Sequence, residues 1–357
     1  MTTAAAGRPS LRILVAAGGT GGHLYPGIAV ARSFQDACPN ANIAFLGRRG
    51  GQEERLVPKE GYRLHTVNVR GLQGRTRLAQ LQSLGVLTIG TSQALRLLRR
   101  WRPHLVIGAG GYVMAPALLA AALLRLPRVI MEQNLVPGLT VRVLARYAQR
   151  VFTSFPESQE FLAQPQVVCT GTPIRPEIAA QVSDTARNES NRLNVLVVGG
   201  SQGAHRLNQA MIEAIPLLAA HRARVQFVHQ TGEFDLPSVA KAYESSGVQG
   251  EVHAFLHDMP KRYNWAHLVL SRAGASTLAE LTACGKPAIL VPYPHAADDH
   301  QRHNALALRN RGAAHVILDA ELTGERIYES LRRYIQDRAQ LNEQATPSRR
   351  LGRPHAA

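Results

Sequence analysis

The sequence has few of the features that would place it inside a membrane or outside a cell. Its first ten residues, MTTAAAGRPS, contain no apolar run of the kind that a secretory signal needs. The longest apolar stretch, Val113–Leu124, has twelve residues, includes Pro116 and is too short to cross a bilayer. The three cysteines, Cys38, Cys169 and Cys284, lie far apart and match neither a zinc spacing nor a disulfide framework. We therefore expect a cytosolic protein with reduced thiols.

Carboxylates are missing from one long segment of the chain. Ten arginines and no Asp or Glu lie between Gly61 and Met131. Residues 1–180 have a net charge of +13, whereas residues 181–357 have a net charge of +3. The chain has 37 arginines and 4 lysines, but a preference for arginine does not explain the absent carboxylates. This one-sided charge suggests an anionic partner, which could be nucleic acid, acidic lipid or a phosphorylated substrate.

The chain contains an internal repeat. ILVAAGGTGG (Ile13–Gly22) is similar to VLVVGGSQGA (Val195–Ala204) at a constant offset of 181 residues. Each copy has an apolar run of strand length, a glycine turn with a hydroxyl residue, and then a helix-like stretch, Ile28–Phe34 or Leu207–Leu218. Because 357 residues are also long for one hydrophobic core, we expect two domains that begin in the same way.

Further apolar runs alternate with helical patterns in both halves. Besides the strands that begin the two repeats, the predicted strands are Asn42–Gly47, Leu105–Gly108, Arg128–Glu132, Val151–Ser154, Val225–His229, Leu268–Ser271 and Ala288–Val291. This alternation is typical of parallel sheets with helices on both faces. The expected fold is α/β, with two Rossmann-like domains whose parallel sheets face a cleft. Ligands would bind beyond the carboxyl ends of the strands.

The glycine loops do not fit a dinucleotide site. The G-x-G-x-x-G pattern fails because Gly19–Leu24 lacks the last glycine, and the next strand ends in Arg48 and Arg49 rather than in an acidic residue. NAD is therefore disfavoured, while NADP stays an alternative because Arg48 could bind its 2′-phosphate. Backbone N–H groups at the start of a helix would suit a phosphate or a sugar hydroxyl.

The segment Ser271–Ala305 concentrates polar residues. Small residues at Gly274–Thr277 begin a predicted helix, whose first N–H groups favour negative charge. Glu280 follows in that helix and could bind the vicinal hydroxyls of a ribose, although an ordinary surface carboxylate is the simpler interpretation. The loop that follows contains His295, Asp298, Asp299, His300, Gln301 and His303. Their spacing matches no zinc motif, so we expect no metal site.

Several motifs occur in one order along the chain. They are GGTGGHLYPGIAVA (Gly18–Ala31), GYVMAPALLAA (Gly111–Ala121), EQN (Glu132–Asn134), GTPIR (Gly171–Arg175), GGSQGA (Gly199–Ala204) and SRAGASTLAEL followed by PAILVPYP, DDHQ and NA. In combination they resemble the MurG family of bacterial N-acetylglucosaminyltransferases, which make lipid II for peptidoglycan. The resemblance extends from about Arg12 to Ala314. Met131 and Thr172 depart from residues that are common in the family.

The resemblance implies the GT-B fold and a division of labour between domains. Residues 1–175 would bind the acceptor and the membrane, and residues 176–335 would bind UDP-N-acetylglucosamine. A polar tail at 336–357 could return to the first domain. This tail ends in ATPSRRLGRPHAA. Neither a cofactor nor a metal is implied.

The resemblance also assigns the residues that would bind the donor UDP-N-acetylglucosamine. They are Thr20, Gly21, Gly22, Asn134, Arg175, Ser201, Leu256, Ala275, Ser276, Thr277, Leu278, Ala279, Glu280, His300 and Gln301. Arg175 and the Leu256 backbone would border the uridine, and Glu280 would bind the ribose. Which of His300 and Gln301 contacts the sugar stays open, because the preceding loop differs in length between family members.

The implied reaction moves N-acetylglucosamine with inversion to the 4-hydroxyl of the muramyl sugar of lipid I. An alcohol is a weak nucleophile, so a base is useful, and His23 is the candidate for that role or for positioning the acceptor. The alternative is a histidine that packs beneath the loop. Three other functions stay open: a GT-B transferase for another glycolipid, a UDP-N-acetylglucosamine epimerase, and a binding or scaffolding protein without activity.

The basic first half of the chain, residues 1–180, then has a function in docking to a membrane. The segment Gly71–Arg102 mixes leucines, including Leu98, and Trp101 with six arginines, as in a surface that lies on a membrane. A buried helix with a solvated basic face is the alternative. The expected partners are lipid I, an anionic membrane surface and proteins of cell-wall synthesis and division, with no nucleic acid. The expected location is peripheral, at the cytoplasmic face of the inner membrane.

Overall fold

The computed structural model describes residues 10–19, 21–69, 77–162, 166–181, 191–200 and 203–357, with the backbone alone for 77–84 and 181. These residues form two compact units. The first unit lies within Met1–Gln133 and Pro137–Pro173 and also takes Ala357. The second unit consists of Asn134–Val136 and the described part of Ile174–Ala356.

Seven parallel strands form the sheet of the first unit. In chain order they are β1 (Arg12–Ala17), β2 (Asn42–Arg48), β3 (Arg63–Val67), β4 (Leu105–Gly110), β5 (Arg128–Glu132), β6 (Arg150–Thr153) and β7 (Val167–Cys169). The helices are α1 (Gly21–Ala37), α2 (Glu53–Lys59), α3 (Arg77–Trp101), α4 (Met114–Leu123) and α5 (Leu139–Leu144). The spatial order of the strands is β3-β2-β1-β4-β5-β6-β7.

Six parallel strands form the sheet of the second unit, in the spatial order β10-β9-β8-β11-β12-β13. The strands are β8 (Leu193–Val198), β9 (Val225–Gln230), β10 (Gly250–His253), β11 (Leu268–Ser271), β12 (Ala288–Leu290) and β13 (Ala314–Val316). The helices are α6 (Pro176–Gln181), α7 (His205–Leu217), α8 (Leu236–Ser246), α9 (Met259–Trp265), α10 (Ala275–Ala283), α11 (His300–Asn310), α12 (Gly324–Gln336) and α13 (Ala339–Leu351).

Alternate residues of β1 pack on opposite faces of the first sheet. Ile13 and Val15 join a core cluster that contains residues of α1, whereas Leu14 and Ala16 join a cluster that contains residues of α3 and α4. A strand covered on both faces must be apolar at every position, which is why β1 reads as an uninterrupted apolar run. The prediction of parallel sheets covered on both faces is confirmed.

The internal repeat is visible in the backbone. β1 lies between β2 and β4, and β8 lies between β9 and β11, so both repeated strands are central. Gly19 has φ +97° and Gly200 has φ +92°, at positions separated by the offset of the sequence repeat. Residues other than glycine rarely adopt this positive φ, which explains why a glycine occupies both turns. The two units therefore contain the same arrangement of strand, turn and helix.

Four strands were not predicted from the sequence: β3, β7, β10 and β13. β3 and β10 are edge strands with mostly half-buried residues, and β7 and β13 have three residues each. Short or half-covered strands lack the continuous apolar run that identifies a central strand. No helix among the described residues combines the length and the apolar composition needed to cross a membrane.

The C-terminal residues form a helix of the second unit. α13 contains Pro347 and packs against α10. Ser348 Oγ donates to the carbonyl of Lys286 at 3.1 Å, and the Arg349 side chain lies beside Gly285. The segment that reads as polar and proline-broken is thus helical over most of its length.

Candidate active site

The glycine loop of the first unit follows β1 directly. Gly21 and Gly22 are the first residues of α1, and both are half-buried. Thr20 lies outside the described residues. Gly111, at φ +76°, packs against the Gly18 carbonyl so closely that a Cβ would collide with it. The loop is therefore held against the end of β4 by backbone contact.

A buried carboxylate lies beneath this loop. Glu53, the first residue of α2, is 0% exposed, and its Oε1 accepts hydrogen bonds from the N–H groups of Gly19 (3.1 Å) and Arg48 (3.3 Å). A side chain at Gly18 or Gly51 would collide with the carboxylate. Two glycines are thus needed to make room for Glu53. The sequence analysis missed this residue, because an acidic residue in the first turn of a helix is usually exposed.

His23 lies in the first turn of α1 and contacts the end of β5. Its Nδ1 is 3.2 Å from Oε1 of Gln133, which is 2% exposed. Gln133 Nε2 in turn donates to the Ala109 carbonyl at 3.0 Å. A Cβ at Gly110 would collide with the His23 ring. The imidazole is therefore oriented by a buried amide and by the backbone of β4.

The glycine loop of the second unit is tied to a second loop by Gln230. Ser201 and Gln202 lie outside the described residues. Gln230 Nε2 donates to the Gly200 carbonyl at 2.8 Å, and its Oε1 accepts from the Leu256 N–H at 3.0 Å. Gln230 and the Leu256 side chain are both buried. The structure thus brings Gly200, the neighbour of the predicted donor residue Ser201, and the predicted donor residue Leu256 together at the carboxyl end of β9.

α10 begins directly beyond β11. Gly274 precedes it with an extended backbone (ψ 139°) and has no side chain of its own that could cap the first N–H groups. Ala275, Ser276, Thr277 and Ala279 are half-buried, whereas the Leu278 side chain is buried in the core. A helix start of this kind presents N–H groups and a positive end to an anion.

Glu280 lies on α10 within the second unit and is 7% exposed. Its Oε1 is 3.0 Å from a terminal nitrogen of Arg175, and its Oε2 accepts from the Tyr263 hydroxyl at 2.9 Å. Burial raises the pKa of the Glu280 carboxyl, and the positive charge of Arg175 opposes that shift. Two predicted site residues 105 positions apart are therefore in contact. Tyr263 was not predicted as a site residue.

Asn134 contacts α11. Asn304, which is 0% exposed, donates from Nδ2 to Asn134 Oδ1 at 3.1 Å, and its Oδ1 accepts from the Leu135 N–H at 2.8 Å. The pair fixes the direction of the Asn134 amide. Sequence reasoning quoted Asn304 as part of a motif but assigned it no function.

Both candidate sugar ligands, His300 and Gln301, lie in the first turn of α11 and not in the preceding loop, where the sequence analysis placed them; that loop ends at Asp299. Gln301 Oε1 accepts from the Tyr293 N–H at 3.0 Å, and His300 Nδ1 donates to the Ala297 carbonyl at 2.7 Å. Asp298 and Asp299 have φ +51°, a strained conformation for residues other than glycine. Such strain persists where the surroundings enforce it, and it is common next to binding sites.

The start of that loop is fixed by an arginine that the sequence analysis did not single out. Arg272 Nη1 donates to Asp319 Oδ1 at 2.7 Å and to the carbonyls of Val291 and Pro292 at 3.3 Å. The guanidinium also lies over the Tyr293 ring, 5.6 Å from its centre.

The two units offer complementary chemistry. The first presents an oriented imidazole beside a glycine loop, and the second presents a helix start that follows a glycine and a buried carboxylate. Across the described part of the chain, no three His, Cys, Asp or Glu side chains are grouped so that they could hold a metal ion.

Two family models match the chain. The glycosyltransferase family 28 N-terminal domain matches residues 13–153, and the glycosyltransferase family 28 C-terminal domain matches residues 194–357. A relative from Geobacter metallireducens is named UDP-N-acetylglucosamine--N-acetylmuramyl-(pentapeptide) pyrophosphoryl-undecaprenol N-acetylglucosamine transferase. It is 45% identical, over 97% of this chain and 96% of its own length.

Solved structures are similar over nearly the whole chain. The crystal structure of Acinetobacter baumannii MurG matches with a TM-score of 0.79 and 31% identity, and covers 98% of this chain and 97% of that chain. A UDP-GlcNAc 2-epimerase from Neisseria meningitidis, bound to UDP-GlcNAc, matches with a TM-score of 0.67 at 15% identity, and covers 97% of each chain. The second likeness is one of fold alone.

Proposed function

The chain belongs to glycosyltransferase family 28 and has the GT-B fold, and from this we propose that it transfers N-acetylglucosamine from UDP-N-acetylglucosamine to lipid I. The acceptor atom is the 4-hydroxyl oxygen of the muramyl sugar. The products are UDP and lipid II, the precursor of peptidoglycan. The Geobacter relative carries this activity in its name, and it aligns with 97% of this chain.

The observation that carries the proposal is the placement of Glu280 on α10. The carboxylate lies five residues beyond the helix start, which corresponds to about 7.5 Å along the helix axis. A helix start that follows a glycine suits the diphosphate of a nucleotide sugar, and a buried carboxylate suits the two hydroxyls of its ribose. Arg175 lies at the same carboxylate and would border the uridine.

The reaction forms one bond and breaks one. The acceptor oxygen attacks C1 of N-acetylglucosamine from the face opposite to UDP, the bond from C1 to the diphosphate oxygen breaks, and the configuration inverts. His23 takes the hydroxyl proton, since an imidazole can accept a proton near neutral pH. The N–H groups of the first turn of α10 stabilise the negative charge that develops on UDP. His300 and Gln301 are the candidates for contact with the sugar.

The membrane side of the proposal rests on exposed apolar residues of the first unit. Ile89 on α3 is 53% exposed and Leu123 on α4 is 70% exposed. Leu139, Val143 and Tyr147 are also exposed and recur at four-residue intervals, so they lie on one side of α5 and the turn after it. α3, α4 and α5 pack on the same core cluster, so they cover the same face of the sheet.

Exposed arginines accompany these apolar side chains. They are Arg96, Arg99, Arg100, Arg142 and Arg146. Leu98 belongs to the core, with 1% exposure, so it does not form part of a docking surface as the sequence analysis expected, whereas Trp101 is half-buried and packs against the edge of that core. Leu72 and Arg75 lie outside the described residues. Apolar and basic side chains together favour reversible binding to an anionic leaflet.

These features support a peripheral position at the cytoplasmic face of the inner membrane, where lipid I would be within reach. Proteins of cell-wall synthesis and division are further proposed partners. Nucleic acid is not a proposed partner, since the diphosphate of lipid I and anionic lipid account for the basic surface.

The proposal is tested by incubating the protein with radiolabelled UDP-N-acetylglucosamine, with and without a lipid I analogue. We expect the label in a disaccharide lipid only when the acceptor is present. Conversion of the sugar nucleotide to its C2 epimer without acceptor would identify an epimerase instead. Transfer to a different glycolipid but not to lipid I would identify another transferase.

A further inference from the structure

The amide of Gln133 can be oriented in one way only. Its Nε2 lies 3.0 Å from the Ala109 carbonyl, which can accept a hydrogen bond but cannot donate one. The nitrogen of the amide must therefore be on this side, and the oxygen must face His23. Because Gln133 is 2% exposed, water does not offer either group an alternative partner.

The orientation of the amide determines where the proton lies on the neutral imidazole of His23. Gln133 Oε1 accepts hydrogen bonds and cannot donate them, and it lies 3.2 Å from His23 Nδ1. A hydrogen bond between the two atoms requires the proton on Nδ1. The ring cannot swing away toward β4, because the backbone at Gly110 lies against it.

We infer that Gln133 is a positioning residue that fixes neutral His23 as the Nδ1–H tautomer, so that Nε2 carries the lone pair that accepts the acceptor's proton. This inference rests on the proposed role of His23 as base. The hydrogen bond made by one ring nitrogen sets which nitrogen is basic, and general bases in other enzymes are oriented in this way. Gln133 itself would touch neither substrate.

The tautomer can be measured directly. We would label the full-length protein with ¹⁵N-histidine and record imidazole spectra at a pH where the ring is neutral, with His23→Gln to identify the signal. The expected result is a protonated Nδ1 and an unprotonated Nε2 at His23. A proton on Nε2 instead would overturn the inference.

Variants of Gln133 connect the tautomer to turnover. Gln133→Met keeps the length of the side chain but has no oxygen to accept from Nδ1, so we expect a mixture of tautomers. The value of kcat should fall by up to about tenfold, while KM for UDP-N-acetylglucosamine should be unchanged. Gln133→Glu keeps an acceptor oxygen and should retain the tautomer and more of the turnover. Equal losses of kcat in both variants would contradict the inference.

Gln166→Met is the matched control. The Gln166 amide also donates to backbone carbonyls of the first unit, those of Ala145 and Ala148, both at 3.3 Å. Its loss should leave kcat and the His23 signal unchanged. A drop in kcat like that of Gln133→Met would mean that lost packing, not the tautomer, explains the effect.

The inference and the proposed function can fail separately. If His23→Gln keeps kcat while the spectrum shows a protonated Nδ1, the tautomer is correct and the base is another residue. If His23→Gln loses kcat while the spectrum shows a protonated Nε2, the base is correct and the function assigned to Gln133 is wrong.

Discussion

Arg175 makes two contacts with a single oxygen of Glu280: its Nε and one terminal nitrogen lie 3.1 and 3.0 Å from Oε1. The other oxygen accepts from the Tyr263 hydroxyl. The carboxylate is thus held by a cation and a phenol, which compensate for its burial. A ribose that binds Glu280 must share these oxygens or displace Arg175. Donor binding is therefore expected to change the contacts of this arginine.

Glu280→Ala should raise KM for UDP-N-acetylglucosamine by roughly 10- to 100-fold, because hydrogen bonds to a charged group contribute about 1.5–3 kcal/mol. Steady-state kinetics and titration calorimetry with UDP would measure the change. Glu329→Ala, at an exposed position on α12, is the control. An unchanged KM would mean that Glu280 does not bind the ribose and only pairs with Arg175 and Tyr263.

His23→Ala should lower kcat by roughly 10²–10⁴-fold while the affinity for UDP stays near that of the unaltered protein. UDP affinity should survive because the proposed nucleotide contacts lie mainly in the second unit. Single-turnover kinetics would measure the chemical step, with His221→Ala as the control. A variant that keeps its kcat but melts at a lower temperature would identify His23 as a structural residue beneath the loop.

Glu53→Ala should destabilise the first unit by about 1–3 kcal/mol, because the N–H groups of Gly19 and Arg48 would lose a buried acceptor. Urea unfolding followed by fluorescence would measure this loss. The neighbouring Glu54→Ala is the matched control, since Glu54 is exposed and accepts from Gly50 N–H at the surface. Equal stabilities of the two variants would show that Glu53 does not hold the glycine loop.

The central strands could be predicted from the sequence, and the edge strands could not. β1 and β8 are covered on both faces, so every position is apolar and the run is obvious. β3 has an exposed Arg63 and mostly half-buried residues, so its pattern does not differ from that of a loop. The pattern of apolar residues reflects burial, so it identifies the well-covered strands and misses the short or half-covered strands at the edges of the sheets.

The candidate site was predictable where its chemistry is local in the chain. The glycine turns and the start of α10 are contiguous motifs, and the resemblance to a family supplied Arg175 and Glu280. Gln133, Gln230 and Tyr263 act through partners between 17 and 110 positions away. Such contacts depend on how strands are ordered in the sheet, and no motif encodes them.

Membrane binding should depend on the arginines beside the exposed apolar residues. Replacing Arg99, Arg100, Arg142 and Arg146 with Gln should weaken binding to vesicles rich in phosphatidylglycerol at least tenfold, since each basic residue near such a surface contributes about 1 kcal/mol. Activity on a soluble acceptor should be retained. Vesicle sedimentation at low and high salt would measure the effect.

The matched control replaces four exposed arginines of the second unit, Arg222, Arg332, Arg333 and Arg350, with Gln. This control changes the net charge by the same amount as the first set of substitutions. Equal weakening of vesicle binding in both variants would therefore mean that total charge, not the proposed surface, drives the association. If the variant with Arg99, Arg100, Arg142 and Arg146 replaced loses activity on the soluble acceptor, that variant has a folding defect instead.

The buried ring of His229 should make the stability of the folded protein depend on pH. The ring is 0% exposed, its Nε2 lies 3.1 Å from Asn208 Oδ1, and the Tyr243 hydroxyl lies 3.4 Å from its Nδ1. Burial lowers the pKa of His229 from 6.5 to about 3, although the nearby Asp235 charge opposes the shift. The folded protein therefore keeps His229 neutral at pH values where the unfolded chain binds a proton.

The sign follows from this difference in bound protons. The contribution of His229 to the free energy of unfolding is fully present above pH 6.5. It is lost as the pH falls from 6.5 toward 3, on the order of 1 kcal/mol for each pH unit. Urea unfolding at pH 7, 6 and 5 should show this slope. His229→Gln should reduce the slope whatever its effect on stability at pH 7, while His221→Gln, at a half-exposed position, should leave it unchanged. An identical slope in His229→Gln would mean that other groups cause the loss of stability in acid.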